Sequence, residues 1–367
     1  MSWKNMKFID FILLQRGHDL TKEQIKPGIY PVVTSTSIMG FHNAYKAEGP
    51  GVVTGRSGTI GEVQYIKDNY WPHNTSLYVK DFKGNYPLFV YYFMKNFGPS
   101  RAKSGSAVPT LNRNSLSGID VCIPDIKTQN KIADILSTYD NLIENNKKQI
   151  KLLEEAAQRL YKEWFTDLHF PGYENTKITD GIPDGWRKRT LEEIATVKMG
   201  QSPKSEFYNN KKQGLPFHQG VGSYGDRFVE DTVYSTSYTQ VAEANSILFS
   251  VRAPVGRLNI TKNKVVIGRG LAAINHKSKL QSFLFYMLKE KFFKEDILGN
   301  GSIFASITRT ELLTQHFLYP TEEIAKNFDD IANQIDKKIS LLDSQLKELK
   351  EARDRLLPKL MSGEIEV

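Results

Sequence analysis

A single cysteine in 367 residues, Cys122, excludes an internal disulfide and a thiolate zinc site, and fits a reducing compartment. No apolar run approaches the ~18 residues that a membrane span requires. Near the N-terminus, Phe8 to Leu14 is short and broken by Asp10, which is not the layout of a signal peptide. The expectation is a cytoplasmic protein. Catalytic signatures are missing as well. There is no Gly-x-x-x-x-Gly-Lys-Ser/Thr loop for ATP, no His-Glu-x-x-His among the seven histidines and no Gly-x-Ser-x-Gly. Neither an Asn-Pro-Pro-Tyr run nor a glycine-rich nucleotide loop of the adenine methyltransferase kind is present. Asp125-Ile-Lys127, beside Pro124, reads as a helix start rather than half of a nuclease motif.

The bulk composition, 40% hydrophobic and 25% charged, is that of an ordinary globular chain long enough for two or three domains. A formal charge of +8 and a pI near 9.1 fit a polyanionic partner as readily as a basic enzyme surface, so charge alone does not decide. The informative feature is a duplication. Gly105-Ser-Ala-Val-Pro-Thr-Leu-Asn-Arg113 reappears as Gly301-Ser-Ile-Phe-Ala-Ser-Ile-Thr-Arg309, 196 positions later, and that offset holds to the end of the chain. Pro124 falls on Pro320, Asp134 on Asp330, Ile143 on Ile339 and Leu160 on Leu356. Upstream the offset is smaller: 183 for Trp3 and Trp186 and for Gly17 and Gly200, and 194 for the aromatic runs at Phe89 and Phe283. A repeat of this length is a domain, not a solenoid unit. Insertions collect in the globular part, as they do in recognition loops.

The constant-offset part of each copy has helical periodicity. Ile132, Leu136, Tyr139, Ile143, Asn146, Ile150, Leu153, Ala157, Leu160 and Trp164 alternate steps of four and three. So do Phe328, Ala332, Ile335, Ile339, Leu342, Leu346, Leu349, Arg353, Leu356 and Leu360. This spacing predicts a coiled-coil seam in which Asn146 is one polar member that fixes register. From Ile132 to Trp164 the helix would be roughly 50 Å long at about 1.5 Å per residue. Pro and Gly in Phe170-Pro-Gly-Tyr173 and Gly181-Ile-Pro-Asp-Gly185 mark a connector. Short β-rich pieces before each helix, such as Gly51-Val-Val-Thr54 and Ser246-Ile-Leu-Phe-Ser-Val251, predict mixed α/β domains on twisted sheets.

The globular parts hold hydrogen-bonding side chains in Gly-rich loops: Gly55 to Gly61, His73 to Ser76, Arg101 to Ser106, Phe217 to Tyr224, Val251 to Arg257 and Gly268 to Gly270. Arginine pairs in bidentate fashion with guanine, Asn or Gln with adenine, and Ser, Thr and Lys hold phosphates. The candidate DNA-contacting residues are Arg56, Ser57, Asn74, Arg101, Lys103, Arg113, Gln219, Tyr224, Arg252, Arg257, Arg269 and Arg309. The candidate seam residues are Ile132, Leu136, Ile143, Asn146, Ile150, Leu153, Leu160, Ile335, Ile339, Leu342, Leu346, Leu349 and Leu356.

Several segments together resemble the DNA-specificity subunit of type I restriction–modification systems. They are Gly55-Arg-Ser-Gly-Thr-Ile-Gly61 with Ser250-Val-Arg-Ala-Pro-Val-Gly-Arg257, Gly268-Arg-Gly-Leu271, Pro124-x-x-x-x-Gln129, Leu160-Tyr-Lys-Glu-Trp-Phe165, Phe170-Pro-Gly-Tyr173 and Leu356-Leu-Pro-Lys-Leu-Met-Ser-Gly-Glu364. One departure is Ala325, which stands in copy two where copy one has Gln129. The resemblance implies an α+β chain with a first target-recognition domain at 1–124, a spacer helix at 125–168 and a linker at 169–185. A second recognition domain at 186–320, a second spacer helix at 321–358 and a tail at 359–367 would follow. The helices would pack as an antiparallel intramolecular coiled coil with pseudo-twofold symmetry.

In function, it implies a non-catalytic reader of a bipartite asymmetric site in double-stranded DNA. Two methyltransferase subunits would bind largely along the helices, and restriction/translocase subunits would join through the complex. S-adenosylmethionine and ATP are expected on those partners, with no cofactor or metal in this chain. Two other readings remain at this point: a coiled-coil scaffold or silent exchange cassette that reads no bases, and an autonomous nuclease or methyltransferase, against which the missing motifs argue.

Overall fold

The structure, a computed structural model, describes residues 2–56, 62–97, 116–297 and 306–367. Of the duplicated run that opens the constant offset, Gly105 to Arg113 and Gly301 to Ala305 lie outside the described residues, as do Ser57, Arg101, Lys103 and Arg113. The chain divides into two compact units, Met1–Lys147 with Ser344–Val367, and Lys148–Asp343. Both cuts fall inside the long helices, so each unit owns one mixed α/β domain and one segment of each helix.

The first unit runs β1 (Trp3–Lys7), α1 (Phe8–Phe11), β2 (Leu13–Arg16), β3 (Tyr30–Val33), β4 (Ile38–His42), β5 (Gly51–Gly55), β6 (Val63–Ile66), β7 (Trp71–Pro72), β8 (Ser76–Asp81), α2 (Pro87–Phe97), β9 (Asp120–Pro124) and the start of α3 (Ile126–Phe165). Its main sheet has the order β2-β8-β5-β6, beside a smaller β4-β3-β7 sheet and a β1-β9 pair. All five residues of β5 are buried, because the strand is covered on both faces and needs no polar alternation. Pro87, with no N–H to leave unsatisfied, opens α2, which buries Phe89, Val90, Tyr92, Phe93 and Met94. The core joins these to Phe8, Phe11, Ile132 and Leu136, and to Leu357, Leu360 and Met361 from the chain's last helix.

The second unit continues with β10 (Ile178–Thr179), β11 (Ile182–Pro183), β12 (Arg187–Thr190), α4 (Leu191–Ile194), β13 (Ala195–Met199), β14 (Tyr208–Asn209), β15 (Leu215–His218), β16 (Tyr234–Ser235) and β17 (Val241–Ala242). Then come β18 (Ile247–Ser250), β19 (Leu258–Ile260), β20 (Val265–Ile267), β21 (Leu271–His276), α5 (Gln281–Ile297), α6 (Arg309–Leu313), β22 (His316–Tyr319) and α7 (Glu322–Ser362). The order β13-β21-β18-β19 repeats that of the first main sheet, and the β12-β22 pair repeats β1-β9. The smaller sheet again contains a parallel pair, β15 with β20, matching β3 with β7. Its five-strand order β14-β16-β15-β20-β17 shows where the extra residues went.

Each long helix starts on a side chain. Asp125 accepts from Thr128 N at 2.9 Å and from Ser2 N at 3.3 Å, which is the helix-start role read from the sequence. In α7, Ile324 N donates to Thr321 Oγ1 at 3.4 Å, and Glu322 and Glu323 complement the dipole of the first turn. This helix runs through Pro358 to Ser362, four residues beyond the sequence boundary at 358. The extension buries Leu360 and Met361, and Gly363, at φ +74° under the Trp3 indole, ends it.

The missing Gln129 of copy two also has an explanation. Gln129 Oε1 accepts from Tyr86 N at 3.0 Å at the start of α2, while its Nε2 donates to Asn85 Oδ1 and Pro124 O. In the second unit, buried Asp329, one turn after Ala325, accepts from Phe283 N at 2.9 Å at the start of α5. Both copies therefore pin the aromatic helix by its orphan N–H groups to the long helix, from different positions.

Two groups contribute to the acid stability in separate pH windows. Burial lowers the pKa of His276 to about 4 from 6.5. Its Nδ1 accepts from Ser278 N at 3.0 Å, which requires a neutral ring. Because the unfolded chain takes up this proton first, the contribution is complete above pH 6.5 and disappears as pH falls to about 4. Asp125, held down to about 2 by the N–H groups of Thr128 and Ser2, contributes above pH 3.8 and loses that contribution as pH falls to about 2. Melting temperature followed against pH should therefore fall in two limbs. His276→Gln flattens the upper limb, and Asp125→Asn flattens the lower one.

Candidate functional site

The described parts of the candidate loops gather at one end of each main sheet, around a position that only glycine can fill. A Cβ on Gly17 would sit 2.1 Å from His73 O, and one on Gly200 would sit 2.1 Å from Gly268 O. In the first unit Gly17 N donates to Ser76 O, His18 N to Pro72 O and Arg56 N to Thr75 O, which gathers three loop segments. Arg56 Nη1 then reaches the Asn74 carbonyl at 3.5 Å. The Asn74 amide donates to Asp19, whose carboxylate also pairs with Arg16 at 3.5 Å. The structure thus brings Arg56 and Asn74 together, and adds Arg16 and Asp19, which composition alone did not single out.

The second unit repeats the frame. Gly200 N donates to Leu271 O, Gln201 N to Ile267 O and Val251 N to Gly270 O. A Cβ at Gly270 would lie 2.4 Å from Gln219 O, so the glycines around Arg269 let the Gln219 backbone cross directly above them. Gln219, Arg252 and Arg269 are exposed on these adjoining segments. Arg257 is exposed at the far end of its turn, where its N–H is bonded to Ser250 Oγ. Arg309 is exposed as the first residue of α6, behind the Thr308 cap. Tyr224 is turned inward. Its hydroxyl donates to Leu248 O at 2.9 Å and burial raises its pKa, so it braces the 219–229 segment from within and leaves no hydroxyl for a base.

Of the seam residues, Ile132, Leu136, Ile143, Asn146, Ile339, Leu342 and Leu346 are buried, while Ile150, Leu153, Leu160, Ile335, Leu349 and Leu356 are half-buried. Towards the end of α3 the buried face consists of Tyr161, Trp164 and Phe165, packed on Phe283 of α5 and on Phe328 of α7. Helical period marks a buried face without saying what covers it.

The sequence reading missed a junction present in both copies. Tyr92 of α2 donates to Asp140 of α3 at 2.6 Å, and Tyr286 of α5 donates to Asp336 of α7 at 2.8 Å. Lys95 and Lys289, one turn further along, lie at 5.5 Å and 5.9 Å over Tyr91 and Phe285, and burial lowers the pKa of both amines. The cation at the carboxylate comes from different places. Arg353 of α7 pairs with Asp140 at 2.6 Å. Asp336 is met at 2.5 Å by Arg227, from the segment between β15 and β16. Arg227 also lies 3.5 Å from Glu154 of α3 and 3.9 Å above the Phe285 ring, with a side chain only 3% exposed. Burial pulls the guanidinium pKa down, but Asp336, Tyr286 and Glu154 more than offset this and hold it above the ordinary arginine value. A cavity of about 520 Å³ borders it, lined also by Asn259 and Lys289.

Among the described residues no cluster of His, Cys, Asp and Glu is placed to hold a metal, and no helix is long and apolar enough to cross a membrane. The family model for the type I restriction modification DNA specificity domain matches residues 2–155 and again 183–351. The chain belongs to this family. Over 292 residues it is 32% identical to a Methanocaldococcus jannaschii protein assigned as the type I restriction enzyme MjaX specificity subunit, covering 77% of this chain and 68% of the relative. It is 28% identical over 299 residues to the MjaIX specificity subunit of the same organism, covering 76% and 69%. The crystal structure of the type I restriction–modification S subunit from M. genitalium superimposes with a TM-score of 0.67 over 98% of this chain and 96% of that one, at 18% identity, which shows a shared fold.

Removing Asp336 leaves the buried Arg227 guanidinium with only Glu154, 3.5 Å away, to offset its charge. Asp336→Asn should cost about 3 kcal/mol or more in denaturant unfolding. Asp140→Asn should cost only about 1–2 kcal/mol, because its pair with Arg353 is wetter.

Proposed function

We infer that this chain is the non-catalytic reader of a bipartite, asymmetric DNA site within a type I restriction–modification complex. The observation that carries the reading is the repetition of one domain fold, with the same loop frame around Gly17 and Gly200, within a family defined by DNA specificity. The two frames present different side chains, Arg56 and Asn74 in one and Gln219, Arg252 and Arg269 in the other. Arg, Asn and Gln are the residues that read base edges in the major groove.

The helices act as the spacer. Within the second unit, going from Glu154 to Trp164 on α3 corresponds to going back from Asp336 to Phe328 on α7, through Arg227 and the Trp164–Phe328 contact. Within the first unit, Asp140 meets Arg353, while the earlier Ile132 and Leu136 share a core with the later Leu357 and Leu360. Both patterns support an antiparallel pair. Forty residues of α3 at about 1.5 Å each would give a strut of about 60 Å, more than one ~34 Å turn of B-DNA. Leu142, Leu152, Ile331 and Leu341 are apolar and roughly half exposed on the helices, which suits docking of methyltransferase subunits there. S-adenosylmethionine and ATP would sit on the partner subunits.

Exchange of residues 1–124 for those of a relative should change one half of the methylated sequence and leave the other. Insertion of seven residues into both helices should lengthen the unread gap and leave both halves unchanged. Sequencing of methylated sites checks both; an unchanged site after the exchange would contradict the reading.

A further inference from the structure

We propose that Arg227 is a positioning residue for the second recognition domain: its guanidinium fixes how the 219–229 segment faces the two long helices, and so which bases the segment meets. This rests on the DNA-reading function inferred above. The segment is braced along its length, because its backbone is tied at several points. Ile260 N donates to Arg227 O at 3.0 Å, Val229 N to Ile260 O at 3.1 Å and Asn259 Nδ2 to Gly225 O at 2.9 Å. The buried His218 ring lies 2.9 Å from Ser223 Oγ and 3.1 Å from Asp231 Oδ1. Gln219 sits inside this braced segment, so a shift where Arg227 anchors is carried to it.

The comparison between copies separates two jobs that one side chain performs here. In the first unit the cation at the half-buried Asp140 carboxylate is Arg353, bonded to Asp140 and Asp354, all three on long helices. There the charge is neutralised without involving a recognition loop. The position equivalent to Arg353, 196 residues earlier on α3 and within the second unit, is Ala157, which is fully buried. The second unit therefore neutralises Asp336 from the recognition domain itself, and the same fork reaches towards Glu154 on the other helix. An arginine fork can engage two carboxylates in a fixed plane, which a lysine point charge cannot. A second link, Lys262 to Asp343 at 2.6 Å, lies seven residues further along α7 but is about a quarter exposed at both ends. It holds the domain near the helix without fixing the direction of the loop.

The test uses the assembled complex with its methyltransferase subunits. Methylation rates are measured on duplexes carrying single base-pair changes in either half-site, the second half-site being the one that changes when residues 186–320 are exchanged. In Arg227→Met combined with Ala157→Arg, the cation returns to the helix, as in the first copy, and the loop tether is gone. Melting should fall modestly, because Ala157 is a buried core position, and discrimination in the first half-site should be intact. In the second half-site discrimination should fall about 10-fold, the scale of one lost bidentate base contact. Arg227→Lys, which keeps the charge but not the fork, should shift the same half-site in the same direction. Full discrimination in the second half-site by the folded double variant would overturn the proposal, as would equal loss in both halves. If the double variant fails to assemble, Arg227→Lys decides alone: a loss confined to the second half-site supports the tether, and wild-type discrimination overturns it. An unaltered complex that discriminates at neither half-site would bring down the DNA-reading function itself, and this proposal with it.

Discussion

A half-buried carboxylate on each long helix, bonded to a tyrosine of the adjacent aromatic helix, joins each domain to its long helix. Asp140 with Tyr92 and Asp336 with Tyr286 are the points where a recognition domain meets the helix that continues from it. A charge in such a place is unfavourable unless a cation accompanies it. The two copies meet this common requirement with arginines of different origin, Arg353 and Arg227. The shared requirement leaves the remainder of each domain free to differ, and the proposed reading of two different half-sites would depend on that difference.

The same constraint links stiffness to specificity. Loops on a sheet can read bases only if the sheet is held at a fixed angle and distance. Here the sheet packs on the aromatic helix, and that helix is bonded by its N-terminal N–H groups to the long helix, through Gln129 in one copy and Asp329 in the other. Together with the tyrosine–carboxylate bond this gives two attachments per aromatic helix, enough to prevent it from pivoting. The loops above the main sheets carry the variation, and the parts beneath carry the aim.

Much of this architecture was legible in the sequence, because a gapless offset and a strict four–three period are long-range signals that a single chain states twice. The Ala325 departure could be seen but not explained, since Asp329 does the work of Gln129 from one turn away. Arg227 carried no local signal. Its partner Asp336 is 109 positions distant, and nothing in Gly-Asp-Arg-Phe separates a surface arginine from a buried one. Tyr224 shows the converse: a tyrosine in a Gly-rich loop suggested an outward contact, yet its hydroxyl is bonded to Leu248 O inside the domain. Composition identifies the loops that could read DNA; the direction each side chain takes depends on packing against strands far away in sequence. The one registration test available within the chain, comparison of its two copies, marks Arg353 against Ala157 but cannot say where the missing cation went.

The proposal at the centre is that one chain carries two unlike readers of a divided DNA site, each built onto a long helix. The most direct measurement is strand-resolved mapping of methylated adenines in DNA from cells that carry this chain with its methyltransferase subunits. The account predicts one recurrent sequence made of two short, dissimilar blocks separated by a gap of constant length. A single uninterrupted block, or two blocks whose separation varies from site to site, would contradict it.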